Sequence, residues 1–398
     1  MSSGSRRPSI EQLATTDAEL ARFVGAAREA KTIGLDTEFM RERTYRARLC
    51  LVQMATADEV VLIDPIDGVD LAPVGELVAD PGIEVVVHAG RQDLEIFFER
   101  FGAEPHSIFD VQIAAAFAGL GASLPYGRLV QDVTGARLTK GEGYTDWCRR
   151  PLTEKQIGYA VNDVAYLLEI AMELKRRLEE QGRLEWALEE MHMLEDPSNY
   201  DLDLDEIYRK VGGRGSLTGR QLSVLRSIAR WREEVARRRD LPRGWVIKDP
   251  TLIEIARRGP TSVDDLTRIR GMNAQEAQRS GEAILKAIER GRESAEVRPD
   301  KAPSRAAQVR ARMLSGPADA IVRARCEDAA IATELVSTRP ELESLLADVT
   351  SGSEDLSRHR LMRGWRRTLA GDHVVAFARG EVAIKAIEGP PFVEEIVI

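Results

Sequence analysis

Cysteine is scarce in this chain: 398 residues carry three, Cys50, Cys148 and Cys326, with no C-x-x-C spacing among them. That excludes a disulfide-stapled secreted scaffold and a thiolate zinc knuckle as organising principles, and leads to the expectation of a reducing, cytoplasmic setting. Cys50 falls inside the apolar stretch Leu49 to Val52 and reads as a core residue rather than a reactive thiol. Histidine is nearly as sparse. Of the five, His106, His192, His359 and His373 have no partner at ligand spacing. His88 closes an apolar run and reads as a hydrogen-bonded structural residue, because hard cations prefer oxygen. No apolar run approaches the ~18 residues of a membrane span, and Met1-Ser-Ser-Gly-Ser-Arg-Arg-Pro8 lacks the apolar centre of a signal peptide. Neither a membrane nor an organic cofactor is expected as a partner.

What is present is an ordinary globular composition, 43% hydrophobic and 30% charged, in a chain too long for a single core. Two or three domains are expected. The net charge of −9 argues against a surface that attracts nucleic acid everywhere, but its distribution is uneven. Acids dominate from Glu179 to Asp205. From Arg209 to Lys248 the balance inverts, with twelve Lys or Arg against Glu233, Glu234 and Asp240. Such a stretch can track phosphates or simply form a solvated helix face.

Five side chains in three separated segments carry the chemistry. Asp36 and Glu38 lie two apart in Ile33-Gly-Leu-Asp-Thr-Glu-Phe39, so on a strand they share a face. Asp93 follows the apolar run Val85 to Val87 in His88-Ala-Gly-Arg-Gln-Asp-Leu94. Tyr159 and Asp163 are spaced i, i+4 in Tyr159-Ala-Val-Asn-Asp163 and share a helix face. Taken singly, each acid reads as a solvated strand edge or a first-turn helix acid favoured by the macrodipole. As an ordered set they point elsewhere. Four carboxylates around one small volume repel each other and resist ionising unless cations are present. Oxygen-only donor sets suit Mg²⁺ or Mn²⁺, and two such ions can hold the attacking and leaving oxygens of a phosphodiester.

The set resembles the DEDD superfamily of 3′→5′ exonucleases, in the branch whose last motif reads Tyr-x-x-x-Asp. Longer segments resemble the ribonuclease D family: Asp36 to Tyr45 running into Leu49-Cys-Leu-Val-Gln53, then Asp146-Trp147, Arg150-Pro-Leu-Thr153, Gln156 and Tyr159-Ala160. The resemblance implies that Asp36 would bridge two Mg²⁺ or Mn²⁺ ions. Glu38 and Asp163 would hold the ion carrying the attacking water, and Asp93 would help hold the other. Tyr159 would orient that water, since a phenol of pKa near ~10 keeps its proton at neutral pH. The polarity is implied likewise, as is an RNA substrate with a single-stranded 3′ end, tRNA precursors among them. Substrate contacts are expected from Phe39, Met40, Gln53, Lys140, Tyr144 and Trp147, through stacking and phosphate binding, with core packing an equal reading for Phe39, Met40, Tyr144 and Trp147 and burial with hydrogen bonding an alternative for Gln53. Tyr144 stands where relatives often have a basic residue, with Arg137 and Lys140 close by. Two other readings are an inert nuclease core serving as a nucleic-acid-binding scaffold, and a DNA 3′→5′ exonuclease.

The resemblance implies an α/β ribonuclease H-like exonuclease domain with a mixed sheet over residues 1–195. Periodicity predicts a helix from 10 to 30, strands over 32–38, 48–55 and 59–63, a helix over 71–78, a strand over 83–88 and a helix over 91–101. A further segment starts at Phe109, and one long helix opens at the Thr153-x-x-Gln156 capping box and runs to about Glu180. Residues 212–293 read as an all-α unit that resembles the HRDC domain, associated with nucleic-acid binding. Residues 305–398, with Leu361-Met-Arg-Gly-Trp-Arg-Arg367, read as a second HRDC-like helical domain, its tail from Glu381 unassigned.

Overall fold

The computed structural model describes residues 9–138, 145–298 and 303–398, with side chains from residue 13 onward in the first of these. The first half alternates strands and helices: β1 (Ser9–Ala14), α1 (Asp17–Ala30), β2 (Thr32–Met40), β3 (Arg48–Ala55), β4 (Glu59–Ile63), α2 (Ala72–Val78), β5 (Glu84–Val87), α3 (Arg91–Phe101), β6 (Ile108–Asp110), α4 (Val111–Phe117), α5 (Tyr126–Thr134), α6 (Glu154–Ala165), α7 (Leu167–Glu180) and α8 (Leu184–Met191). The six strands form one mixed sheet in the order β1-β4-β3-β2-β5-β6. The hairpin strands β2, β3 and β4 run antiparallel, whereas β1, β5 and β6 join in parallel.

The sheet has two apolar faces, as a layered α/β fold requires. Leu35, Val52, Met54 and Ile63 bury one face with α1, α2 and α3. Leu51, Ala55 and Leu62 bury the other with α4 to α7. Asp36 and Glu38 point to this second face, where Gly34 lets α7 lie directly on the strand: a Cβ at Gly34 would meet Leu168 Cδ1 at 3.1 Å and Leu167 Cδ1 at 3.3 Å. A larger residue there would press on Leu167 and Leu168 at the start of α7, directly after the helix that carries Tyr159 and Asp163.

Two expectations are corrected and two are extended. The segment from residue 10 splits into β1 and α1, because parallel pairing with β4 outweighs a short i, i+3 apolar spacing. The true helix start is the Thr16–Glu19 capping box. The long helix after Thr153 breaks at Tyr166 (φ −111°, ψ −3°), without proline or glycine to announce it. The Phe109 segment opens as the three-residue strand β6 before α4. Finally, Cys50 is buried in the core but is also disulfide-bonded to Cys148, 98 residues away.

The second half is helical. α9 (Gly219–Arg239), α10 (Arg243–Val246), α11 (Asp249–Arg258), α12 (Val263–Thr267) and α13 (Ala274–Glu293) share one core with Leu225, Ile228, Leu252 and Ile284 at its centre. α14 (Arg305–Asp328), α15 (Thr333–Val336), α16 (Arg339–Thr350), α17 (Gly364–Arg366), a π-helical turn (Arg367–Gly371) and α18 (Asp372–Arg379) follow. These helices pack into the same core as α4 and α8: Trp365 meets Phe117 edge-on at 4.8 Å and stacks on Trp186 at 5.9 Å. Arg366 pairs with Glu190 at 2.6 Å. The tail, unassigned from its sequence, is a hairpin of β7 (Val382–Ala386) and β8 (Val393–Val397). Among the described residues no helix is long and apolar enough to cross a membrane.

Candidate active site

Strand alternation presents Asp36 and Glu38 on one face of β2, and α6 lies across that face. α6 is positioned at its start. Thr153 and Gln156 satisfy each other's backbone donors in a capping box, a contribution of ~1 kcal/mol. Just before it, the fully buried Asp64 carboxylate accepts from Arg150, whose Nη2 is 2.6 Å from Oδ1. The same guanidinium donates to the carbonyls of Trp147 (2.8 Å) and Cys50 (2.7 Å), fastening the 147–150 segment to β3.

The outcome is that carboxylate oxygens of Asp36, Glu38 and Asp163 lie within 4.8 Å of one another. Asp93, in the first turn of α3, is 7% exposed and accepts a hydrogen bond from the Thr37 hydroxyl. Its backbone approach depends on the turn before α3, where Ala89 has φ +56°. Asp110 holds that turn by accepting from the amides of Ala89 and Gly90, both at 3.1 Å. Gly90 is required there, since a Cβ would fall 2.5 Å from Val87.

Electrostatics mark the site as incomplete without positive charge. Burial first, then the charges of Asp93, Asp163 and Glu38, raise Asp36 well above the carboxylate range. Burial and the charges of Asp163 and Asp93 push Glu38 up to about 8. Asp163 rises to about 7 through burial, opposed by a hydrogen bond from Tyr159. Asp93 rises to about 6, again chiefly through burial. The charged neighbours that act on Asp36 and Glu38 are other carboxylates. A half-buried, oxygen-only donor set of this kind fits divalent cations, which would replace the protons it otherwise retains.

Tyr159 donates to Asp163 one helical turn away, and burial with the nearby carboxylates holds its phenol protonated far above neutral pH. Its ring packs at 5.9 Å on Trp147. Trp147 therefore backs the site from the core: at 2% exposure it offers no stacking face, which corrects the expected substrate contact. Gln53 is corrected in the same way. It pairs with Asp36 across the β2–β3 ladder and is fully buried, with its amide unpartnered among the described residues. Phe39 and Met40 are half-buried at the end of β2. Lys140 and Tyr144 lie outside the described residues. His88 is structural, its Nε2 2.9 Å from the Leu124 carbonyl and its ring edge-on to Tyr126.

The basic stretch from Arg209 is largely neutralised internally. Arg232 meets Asp249 at 2.7 Å, Arg239 meets Glu276 at 2.9 Å, and Arg243 donates to Glu233 at 2.9 Å. A cavity of ≈ 740 Å³ in the first helical unit is lined by Lys248, Arg270, Arg257 and Arg258, the last two paired with Glu254 of the same lining at 2.9 and 2.5 Å.

Strand, helix and acid cluster form a site suited to divalent cations, and residues 12–179 match the family model described as 3′–5′ exonuclease. Residues 221–288 match the HRDC domain model. The chain is 40% identical to ribonuclease D of Gluconacetobacter diazotrophicus over 94% of both chains, and 39% identical to that of Granulibacter bethesdensis over 96% of both. It superposes on the crystal structure of Escherichia coli RNase D, described as an exoribonuclease involved in structured RNA processing, with a TM-score of 0.81 and 31% identity. That match covers 93% of this chain and 98% of the other. The chain belongs to the ribonuclease D family of metal-dependent 3′–5′ exoribonucleases.

Proposed function

We propose that this enzyme removes nucleotides one at a time from single-stranded 3′ ends of RNA, releasing nucleoside 5′-monophosphates, with two divalent cations, Mg²⁺ or Mn²⁺, at the acidic cluster. The carrying observation is the convergence of Asp36, Glu38 and Asp163 within 4.8 Å, beside Asp93 and Tyr159. Asp36, Glu38 and Asp163 would hold the cations, with Asp93 completing the set when it turns from Thr37. Bound there, the cations supply the positive charge that offsets the negative charge developing on the attacked phosphate and make water a better nucleophile. Tyr159 keeps its proton and orients a water or phosphate oxygen by hydrogen bond. Trp147 fixes the plane of that tyrosine. The core behind β2 excludes bulk solvent, strengthening each of these interactions.

Met40, half-buried on the face of the acidic cluster, is the surface on which a terminal base would stack, whereas Phe39 packs on the core of the opposite sheet face. Lys248 and Arg270, at the cavity of the first helical unit, support a grip on phosphates of the folded part of the RNA, such as a tRNA precursor. We read the C-terminal helices as a second, diverged HRDC-like unit: α9 and α14 are each followed by a four-residue helix and then by one with proline in its first turn.

A 5′-labelled tRNA precursor with an unpaired 3′ tail tests this reading. With Mg²⁺ it should shorten stepwise from the 3′ end and stall at the stem, and EDTA should stop the reaction. Binding without shortening in Mg²⁺ and Mn²⁺ would mean a scaffold. Tyr159→Phe should lower kcat about 100-fold with little change in KM, the low end of the scale for a positioned acid–base group, as befits a hydroxyl that orients by hydrogen bond and keeps its proton. An unchanged kcat would remove Tyr159 from the reaction.

A further inference from the structure

The loop joining β2 to β3 begins three residues after Glu38, and its middle belongs to the core of another domain. Tyr45 is 8% exposed and belongs to the apolar core of the first helical unit, with Ile207, Leu225, Ile228 and Trp231. Its hydroxyl donates to Glu233, a fully buried carboxylate of α9, and accepts from Arg237 Nε at 3.1 Å. The Arg243 guanidinium lies 5.3 Å from the ring centroid and also donates to Glu233. Beyond the ring, Asp240 Oδ1 accepts from the backbone amides of Tyr45 and Arg46, both at 3.0 Å. Asp240 is the left-handed cap of α9, at φ +48°. The other end of the loop is tied to the nuclease: Arg41 makes a two-pronged contact with Glu95 at 3.1 Å on both arms, two residues past Asp93 on α3.

One short loop thus connects the strand bearing Asp36 and Glu38, the helix bearing Asp93, and the buried polar centre of the helical unit. A framework joint between domains would not need to be built from the segment bordering the acidic cluster. We infer that the helical unit is a working part of the substrate entrance: through Tyr45 and Asp240 it fixes the β2–β3 loop, and so sets how tightly a single-stranded 3′ end is held. This rests on the exoribonuclease reading above. Asp240 and Tyr45 are positioning residues, acting through the loop.

Asp240→Gly is the clean test. Glycine keeps the left-handed backbone at no steric cost while the acceptor for two amides is lost; Asp240→Asn keeps both the conformation and an acceptor oxygen. On a short unstructured RNA oligonucleotide, Asp240→Gly should raise KM about tenfold, a change worth ~1.4 kcal/mol, with kcat within about twofold. Asp240→Asn should restore the wild-type KM. Trypsin should cut Asp240→Gly faster after the exposed Arg41, Arg43 and Arg46, a readout independent of activity. Unchanged KM and unchanged tryptic cutting would overturn the inference, as would equal losses in kcat and thermal midpoint that asparagine fails to repair. A wild-type enzyme inert toward RNA would sink the earlier reading, and faster cutting of Asp240→Gly would still support the anchoring of the loop.

Discussion

Replacing Asp36 by asparagine should lower the rate of nucleotide release from single-stranded RNA by about a thousandfold or more, with the fold intact. Asparagine has nearly the same shape, so packing against α6 is kept. What changes is charge at the most crowded point of the cluster, where burial and three neighbouring carboxylates already act on one group. Losing a negative ligand from a buried site weakens cation binding and removes an electrostatic contribution that typically accounts for several kcal/mol of barrier lowering. The check is a single-turnover assay alongside circular dichroism and a melting curve. Full activity in Asp36→Asn would mean that the chemistry lies elsewhere.

The second large effect is on stability, and its sign follows from the direction of the shifts. In the absence of cations Glu38 is raised to about 8, Asp163 to about 7 and Asp93 to about 6. The unfolded chain releases these protons near pH ~4. Between those limits the native state binds more protons than the unfolded state, so stability falls as pH rises. Below pH ~4 both states are protonated and the penalty vanishes; above about 8 it is complete. Cation-free protein should therefore melt lower at pH 8 than at pH 5.5. Added Mg²⁺ should recover the difference at pH 8, where the carboxylates are free to bind it, by ~2.7 kcal/mol at a hundredfold excess over Kd, or roughly 5 °C. At pH 5.5, where protons compete, the gain should be small. Glu38→Gln should flatten the pH dependence. A Mg²⁺ shift equal at both pH values would contradict this.

Much of the site was legible from local rules. The period of two places Asp36 and Glu38 together, the i, i+4 spacing places Tyr159 under Asp163, and the Thr153–Gln156 box opens the helix that carries them. What was not legible depends on the third dimension. The hydroxyl that holds Asp93 belongs to Thr37, 56 residues earlier, and Asp110 anchors the turn of that motif from another strand. Asp110 left one trace, an acid at the N-cap of a helix. Trp147 sits in a polar stretch, so its burial is decided by Tyr159 and the sheet rather than by its neighbours in sequence. Tyr45 lies in a loop rich in arginine, and nothing local marks it as the core residue of a domain that starts far downstream. β1 was misread because Ile10 and Leu13 suit a helix until β4 offers a partner.

The most direct test of the central claim is anomalous scattering from crystals grown with Mn²⁺ and a short RNA that cannot be cleaved. The account predicts two manganese peaks ligated by Asp36, Glu38, Asp93 and Asp163, with the RNA 3′ end beside Tyr159. Manganese absent from these carboxylates, or an RNA end seated at another surface, would contradict it.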